Sequence, residues 1–117
     1  MSRRLACLLL LLAGCASTRE GLDAARLPVE VRGDYALFAH RCSKCHPLAR
    51  ALNSGIDEDR VWVDYVTRMR RQPASGISRE DAAQILRFLH YYSLEQQQRK
   101  READVRGRAS GDSRVGS

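Results

Sequence analysis

Cys42-Ser43-Lys44-Cys45-His46, approached through Asp34-Tyr35-Ala36-Leu37-Phe38-Ala39-His40-Arg41, is the stretch on which the reading of this chain turns. Two thiols three positions apart can each form a thioether to a vinyl group of one haem. The imidazole of His46 then falls beneath the ring, where it can coordinate iron. This is the spacing of c-type haem attachment. A C-x-x-C pair also serves zinc sites and dithiol redox centres. Compartment, flanking helices and a second axial ligand separate these readings.

The N-terminus speaks to the compartment. Ser2-Arg3-Arg4 is a short basic segment, and Leu5 to Ala13 is apolar, with leucine at every position from Leu8 to Leu12. Nine residues are too few for a membrane-spanning helix, which needs about 20. The pattern is that of an export signal. Leu12-Ala13-Gly14-Cys15 resembles the lipobox of bacterial lipoproteins, in which the Cys is acylated and becomes the new N-terminus. Residues 1–14 are therefore expected to be a lipoprotein signal peptide, with Cys15 lipidated. A plain signal peptide with an incidental Cys is the alternative.

Cleavage before Cys15 would leave 103 residues, enough for one small domain with flanks. The formal charge of +6 would fall to +4 with the loss of Arg3 and Arg4. Basic residues are interleaved with acids and form no stripe, so a nucleic-acid binder is not expected. With Cys7 removed and Cys15 acylated, only Cys42 and Cys45 remain of the four cysteines. A thioredoxin-like site would need a βαβ setting, and no strand-like run is present. A zinc site could draw on His40, Cys42, Cys45 and His46. These four lie within seven residues and lack the long spacer of structural zinc sites.

Residues 15–32 read as a lipid-anchored tether. Residues 94–117 hold almost no large apolar side chains, so a polar, disordered tail is expected. Between them, residues 33–93 carry nearly all the aromatic and aliphatic side chains. Sixty-one residues are few for an unaided core, since chains below roughly 70–80 residues usually need a staple. A covalent haem would be that staple.

Three helices are legible. The first is expected to start at Asp34 as N-cap and to run into the C-x-x-C-H box, with Phe38 on the face of Cys42. The second begins near Asp57-Glu58-Asp59, where acids suit a helix N-terminus, and stops before Pro73. Trp62, Tyr65, Val66 and Met69 fall on it at i, i+3, i+4 and i+7, one apolar stripe. The third opens at Ser78-Arg79-Glu80-Asp81, a capping-box-like start, and buries Ala82, Ile85, Leu86 and Leu89, widened by Phe88 and Tyr92.

Residues 33–93 resemble the small monohaem cytochrome c family, class I-like, in three features. These are the aromatic Phe38 four residues before the first Cys, the box itself, and the aromatic-rich last helix Ile85 to Tyr92. The resemblance implies an all-α, compact three-to-four-helix domain wrapped around one covalent haem c. Met69 stands only 23 residues after His46 and in a helix, whereas many members carry the axial Met further on, in a loop. Trp62-Val63-Asp64-Tyr65-Val66-Thr67-Arg68-Met69 is similar to the W-x-x-x-V-x-R-M pattern of compact bacterial cytochromes.

Three side chains compete for the sixth iron position. Met69 is the sole Met after residue 14 and shares a face with Trp62; His/Met pairs are familiar in cytochromes c. A gap-filling core role is its plainer alternative. His40 sits two residues before Cys42, poorly placed for the opposite face of the same haem. His90 lies off the apolar stripe of its helix, and bis-His ligation through it stays open. The expected function is one-electron transfer, not enzymatic catalysis, by a lipid-anchored protein on the periplasmic side of a bacterial membrane. Its partners would be a respiratory complex or a periplasmic dehydrogenase. Lys44 with Arg70 or Arg71 could steer an acidic partner. A five-coordinate haem enzyme or gas sensor is one alternative. A structural lipoprotein with zinc or a disulfide at the C-x-x-C is another.

Overall fold

The computed structural model describes residues 21–112. The signal segment 1–14, Cys15 and the start of the expected tether lie outside the described residues. Within them the chain is all-helical. Four α-helices follow one another: α1 (Val29–Cys42), α2 (Ala49–Leu52), α3 (Asp59–Arg70) and α4 (Arg79–Asp112). No strand occurs among the described residues.

α1 begins a turn and a half earlier than Asp34 suggested. Pro28 precedes its first turn with φ −53°; a ring-fixed φ and a missing N–H cost nothing at a helix entry. Asp34 is thereby an internal helix residue. Its carboxylate receives Arg87 Nε at 3.1 Å and Arg87 Nη2 at 2.9 Å, a two-pronged tie to α4. The expected tether is shortened in consequence. Ala24–Arg26 form one 3₁₀ turn, capped by the Asp23 carboxylate accepting from the Ala25 amide at 3.0 Å. The Tyr35 hydroxyl accepts from the Leu22 amide at 2.6 Å and donates to the Leu22 carbonyl at 2.8 Å. Residues 22–28 therefore lie on the domain and do not stand off from it.

α4 is the spine. α1 and α3 each pack along it and not against one another. Phe88 is completely buried at the centre, its ring 4.9 Å from that of Phe38 and 5.1 Å from that of Tyr35. Full burial of an aromatic side chain of this size contributes about 1.5–3 kcal/mol. On the other flank Trp62 is 1% exposed and its indole N–H donates to Ser93 Oγ at 2.7 Å. The short α2, not legible beforehand, buries Ala51 and Leu52 and is pinned by the Tyr92 hydroxyl donating to the Leu52 carbonyl at 2.7 Å.

The capping box at the start of α4 forms as read. Ser78 Oγ accepts from the Asp81 amide at 2.9 Å, and Asp81 Oδ2 accepts from the Ser78 amide at 3.2 Å. Asp serves here because its shorter arm still reaches the amide. The other end of α4 corrects an expectation. The tail from residue 94 is not disordered through 112 but continues the helix to Asp112. Gln97 Nε2 donates to the Asp57 carbonyl at 2.9 Å and Lys100 Nζ meets Asp57 Oδ2 at 2.8 Å. Beyond them Arg101, Glu102, Ala103, Arg106, Arg108 and Ala109 are good helix formers, enough to carry the helix past Gly107. Propagation from an anchored helix needs no new nucleus, so low apolarity does not stop it. No helix among the described residues is long and apolar enough to cross a membrane.

Candidate functional site

Because α1 and α3 meet α4 but not each other, a gap is left between the C-terminal end of α1, the loop after it and the inner face of α3. This gap is a cavity of about 560 Å³. That is within the roughly 300–1,000 Å³ usual for cofactor and small-molecule sites. Cys42, Cys45, His46 and Met69 all line it. The structure thus gathers into one wall the residues that the box and the stripe on α3 nominated separately.

Each is placed for a physical reason. Cys42 is the last residue of α1 and half-buried. Ser43 caps the helix, its amide donating to the Ala39 carbonyl at 3.2 Å, and the chain then turns to present Cys45 and His46. His46 Nδ1 lies 3.3 Å from the carbonyl oxygen of Pro47. A carbonyl can only accept, so Nδ1 carries the proton. In the neutral ring the lone pair is then on Nε2, the arrangement a metal-binding imidazole needs.

The stripe on α3 divides by function. Trp62 and Val66 are buried in the core, while Tyr65 and Met69, one turn apart on the adjoining edge, line the cavity. The α3–α4 loop closes the rim through Pro73, Ser75 and Ile77. Gly76 (φ +64°) lets that loop pass over the end of α1; a Cβ there would stand 3.4 Å from Arg41 Nη1 and 3.5 Å from Lys44 Nζ. Asp81, already part of the capping box, holds Arg41 Nη2 at 2.8 Å and so fastens the end of α1 to the first turn of α4.

Electrostatics sharpen the chemistry. Burial pushes the Cys42 thiol from its ordinary 9.0 up to about 11. Cysteines of dithiol redox centres run the other way, to about 3.5–7.5. Cys42 and Cys45 are both free, not joined in a disulfide. Among the described residues no three His, Cys, Asp or Glu side chains converge as a metal site. Four cations, Arg41, Lys44, Arg50 and Arg68, line the cavity, and no carboxylate does. Two buried polar atoms, Arg41 Nε and Tyr65 Oη, have no hydrogen-bond partner. An apolar hollow with thiols on one side, unpaired donors in the wall and an excess of positive charge suits a flat apolar group that carries carboxylates. Haem c is such a group.

His40 and His90 do not line the cavity. His40 is exposed on α1. His90 Nδ1 instead lies 2.8 Å from Asp59 Oδ2 at the start of α3, beside a second hollow of about 350 Å³. Of the cations expected to flank the site, Lys44 lines the cavity and Arg70 and Arg71 do not. Sequence reasoning passed over Arg41, Arg50, Tyr65 and Arg68. The signal for Tyr65 and Arg68 was present: each lies within one turn of Met69 on a helix already recognised. Arg50 carried no comparable signal, since the short α2 that bears it was unread. No family model, no curated protein and no solved structure matches the chain.

Proposed function

We propose that the chain is a monohaem c-type electron carrier, with haem held covalently by Cys42 and Cys45 and its iron by His46 and Met69. The observation that carries this reading is that all four side chains line one cavity of cofactor size. A bound haem c supplies one reversible electron at iron. The two cysteines fix it in place, and the Pro47 carbonyl orients His46 with Nε2 free to bind. The Met69 thioether is a soft ligand that favours the ferrous state and raises the potential relative to a second imidazole. With His46 and Met69 both holding the iron, the group would supply one-electron chemistry and would leave no place on the metal for a substrate. Transfer of electrons, not catalysis, is the corresponding function. The raised Cys42 thiol speaks against dithiol exchange as the role of the box.

The N-terminal pattern through Cys15 complements this with export and lipid anchoring, on the periplasmic side of a bacterial membrane. Partners there are redox proteins, a respiratory complex or a periplasmic dehydrogenase. The test is an optical spectrum of protein produced with the haem-attachment machinery. A c-type α band in the reduced protein, and a methionine–iron charge-transfer band that Met69→Ala abolishes, are the expected results. A colourless wild-type protein would refute haem attachment; a charge-transfer band surviving in Met69→Ala would refute the ligand.

A further inference from the structure

The cavity wall contains a cluster that the four haem-holding residues do not explain. Tyr65 Oη is buried and without a partner. The Arg68 guanidinium carbon lies 5.9 Å from the Tyr65 ring centroid, and Arg50 lines the same cavity. Burial pushes the Tyr65 phenol above its ordinary 10.0 and nearby Cys42 adds to that, while Arg50 and Arg68 both pull it down. Arg68 thus lies over the Tyr65 ring, and Arg50 shares the cavity that Tyr65 lines. Neither reaches a carboxylate among the described residues, whereas Arg41 has Asp81, Arg87 has Asp34 and Lys100 has Asp57.

A buried hydroxyl without a partner is costly, and the two exposed guanidiniums that line the same cavity are free to turn toward an anion placed there. The donors define that anion. A guanidinium presents N–H groups in a planar fork that matches the two oxygens of a carboxylate, and a phenol adds one further O–H donor. Resting on the haem reading above, we infer that Arg50, Tyr65 and Arg68 form a carboxylate-binding subsite in the cavity wall, occupied by the haem propionates. The cluster lies on α2 and α3, so it would also tie α2 to the cofactor.

The test uses the holoprotein and five variants: Tyr65→Phe, Arg50→Gln, Arg68→Gln, Arg68→Lys and, as a control outside the cavity, Arg71→Gln. The readouts are the resonance-Raman propionate bending band and the midpoint potential at one fixed pH. Tyr65→Phe, which removes only a donor, shifts the band. Arg50→Gln and Arg68→Gln shift the band and lower the potential, because less-compensated carboxylates favour ferric iron. Arg68→Lys keeps the charge without the fork, and shifts the band while largely retaining the potential. Arg71→Gln leaves the band as in wild type. A band unchanged in all four cavity variants overturns the subsite. A saturable spectral shift when succinate is added to wild type, absent from the variants, overturns the propionates as occupant in favour of a free carboxylate. A colourless wild type overturns the haem reading itself, and with it the occupant.

Discussion

The indole N–H of Trp62 donates a buried 2.7 Å hydrogen bond to Ser93 Oγ, and this contact fixes which edge of α3 faces α4. With Trp62 committed to the core, Tyr65 and Met69 are turned to the cavity. Ser93→Ala leaves the indole donor buried and unpaired, which costs about 1–3 kcal/mol. Urea unfolding should show the loss as a lower midpoint at unchanged slope. An unaltered midpoint would contradict the role given to this pair.

Phe88 is the packing centre, in contact with rings from α1 and from its own helix. Phe88→Ala should lower stability by about 3–5 kcal/mol, the cost of the lost burial and the void left behind. Val105 is 66% exposed, and Val105→Ala should change stability by no more than about 0.5 kcal/mol. Equal effects at the two sites would be inconsistent with a core that ends near Ser93.

Carbon monoxide separates the six-coordinate carrier from a five-coordinate enzyme or gas sensor. On the proposed His46/Met69 ligation, reduced wild-type holoprotein should be inert to it on the stopped-flow timescale. Met69→Ala should bind it readily. Rapid binding by wild type would favour the five-coordinate alternative.

Asp57 provides a pH-dependent link between α4 and the start of α3. Its hydrogen bond to the Lys100 ammonium, and the charge that ammonium carries, hold the carboxyl below its ordinary 3.8. A depressed carboxyl contributes stability above its unfolded pKa and loses it as pH falls through the folded value. Urea midpoints followed from about pH 6 down to about pH 3 should therefore fall less steeply in Lys100→Gln than in wild type. Parallel curves would show that the pair contributes nothing in solution.

The far end of α4 is helical without being packed, since every residue from Arg101 to Gly111 is exposed. Removing residues 102–117 should reduce the far-ultraviolet helical signal while leaving the unfolding midpoint and the visible spectrum as they were. A large fall in midpoint would mean that this segment docks on the body.

Much of the plan could be read directly. The α3 stripe, the stop before Pro73 and the Ser78/Asp81 box are local patterns, and local patterns survive folding because they are satisfied within a few residues. Two boundaries were misread for the converse reason. Asp34 has the composition of an N-cap, but its partner is Arg87, 53 positions away. The segment after residue 94 has the composition of a disordered tail, but Asp57, 43 positions before Lys100, anchors its first turn. Neither partner is visible to a window of ten residues.

The sequence by itself determined which chemistry was available: Cys42, Cys45 and His46 at the C-x-x-C-H spacing, and one methionine on a recognisable helix. Spacing is covalent and needs no fold to hold it. Only the tertiary structure decided that Met69 shares a cavity with the box while His90 is spent on Asp59, and that the Tyr65 hydroxyl is left buried and unpartnered in a cavity wall shared with Arg50 and Arg68. Those outcomes depend on α1 and α3 both packing on α4 and not on each other. That choice is made by burial of Phe88 and Trp62, residues far apart in the chain.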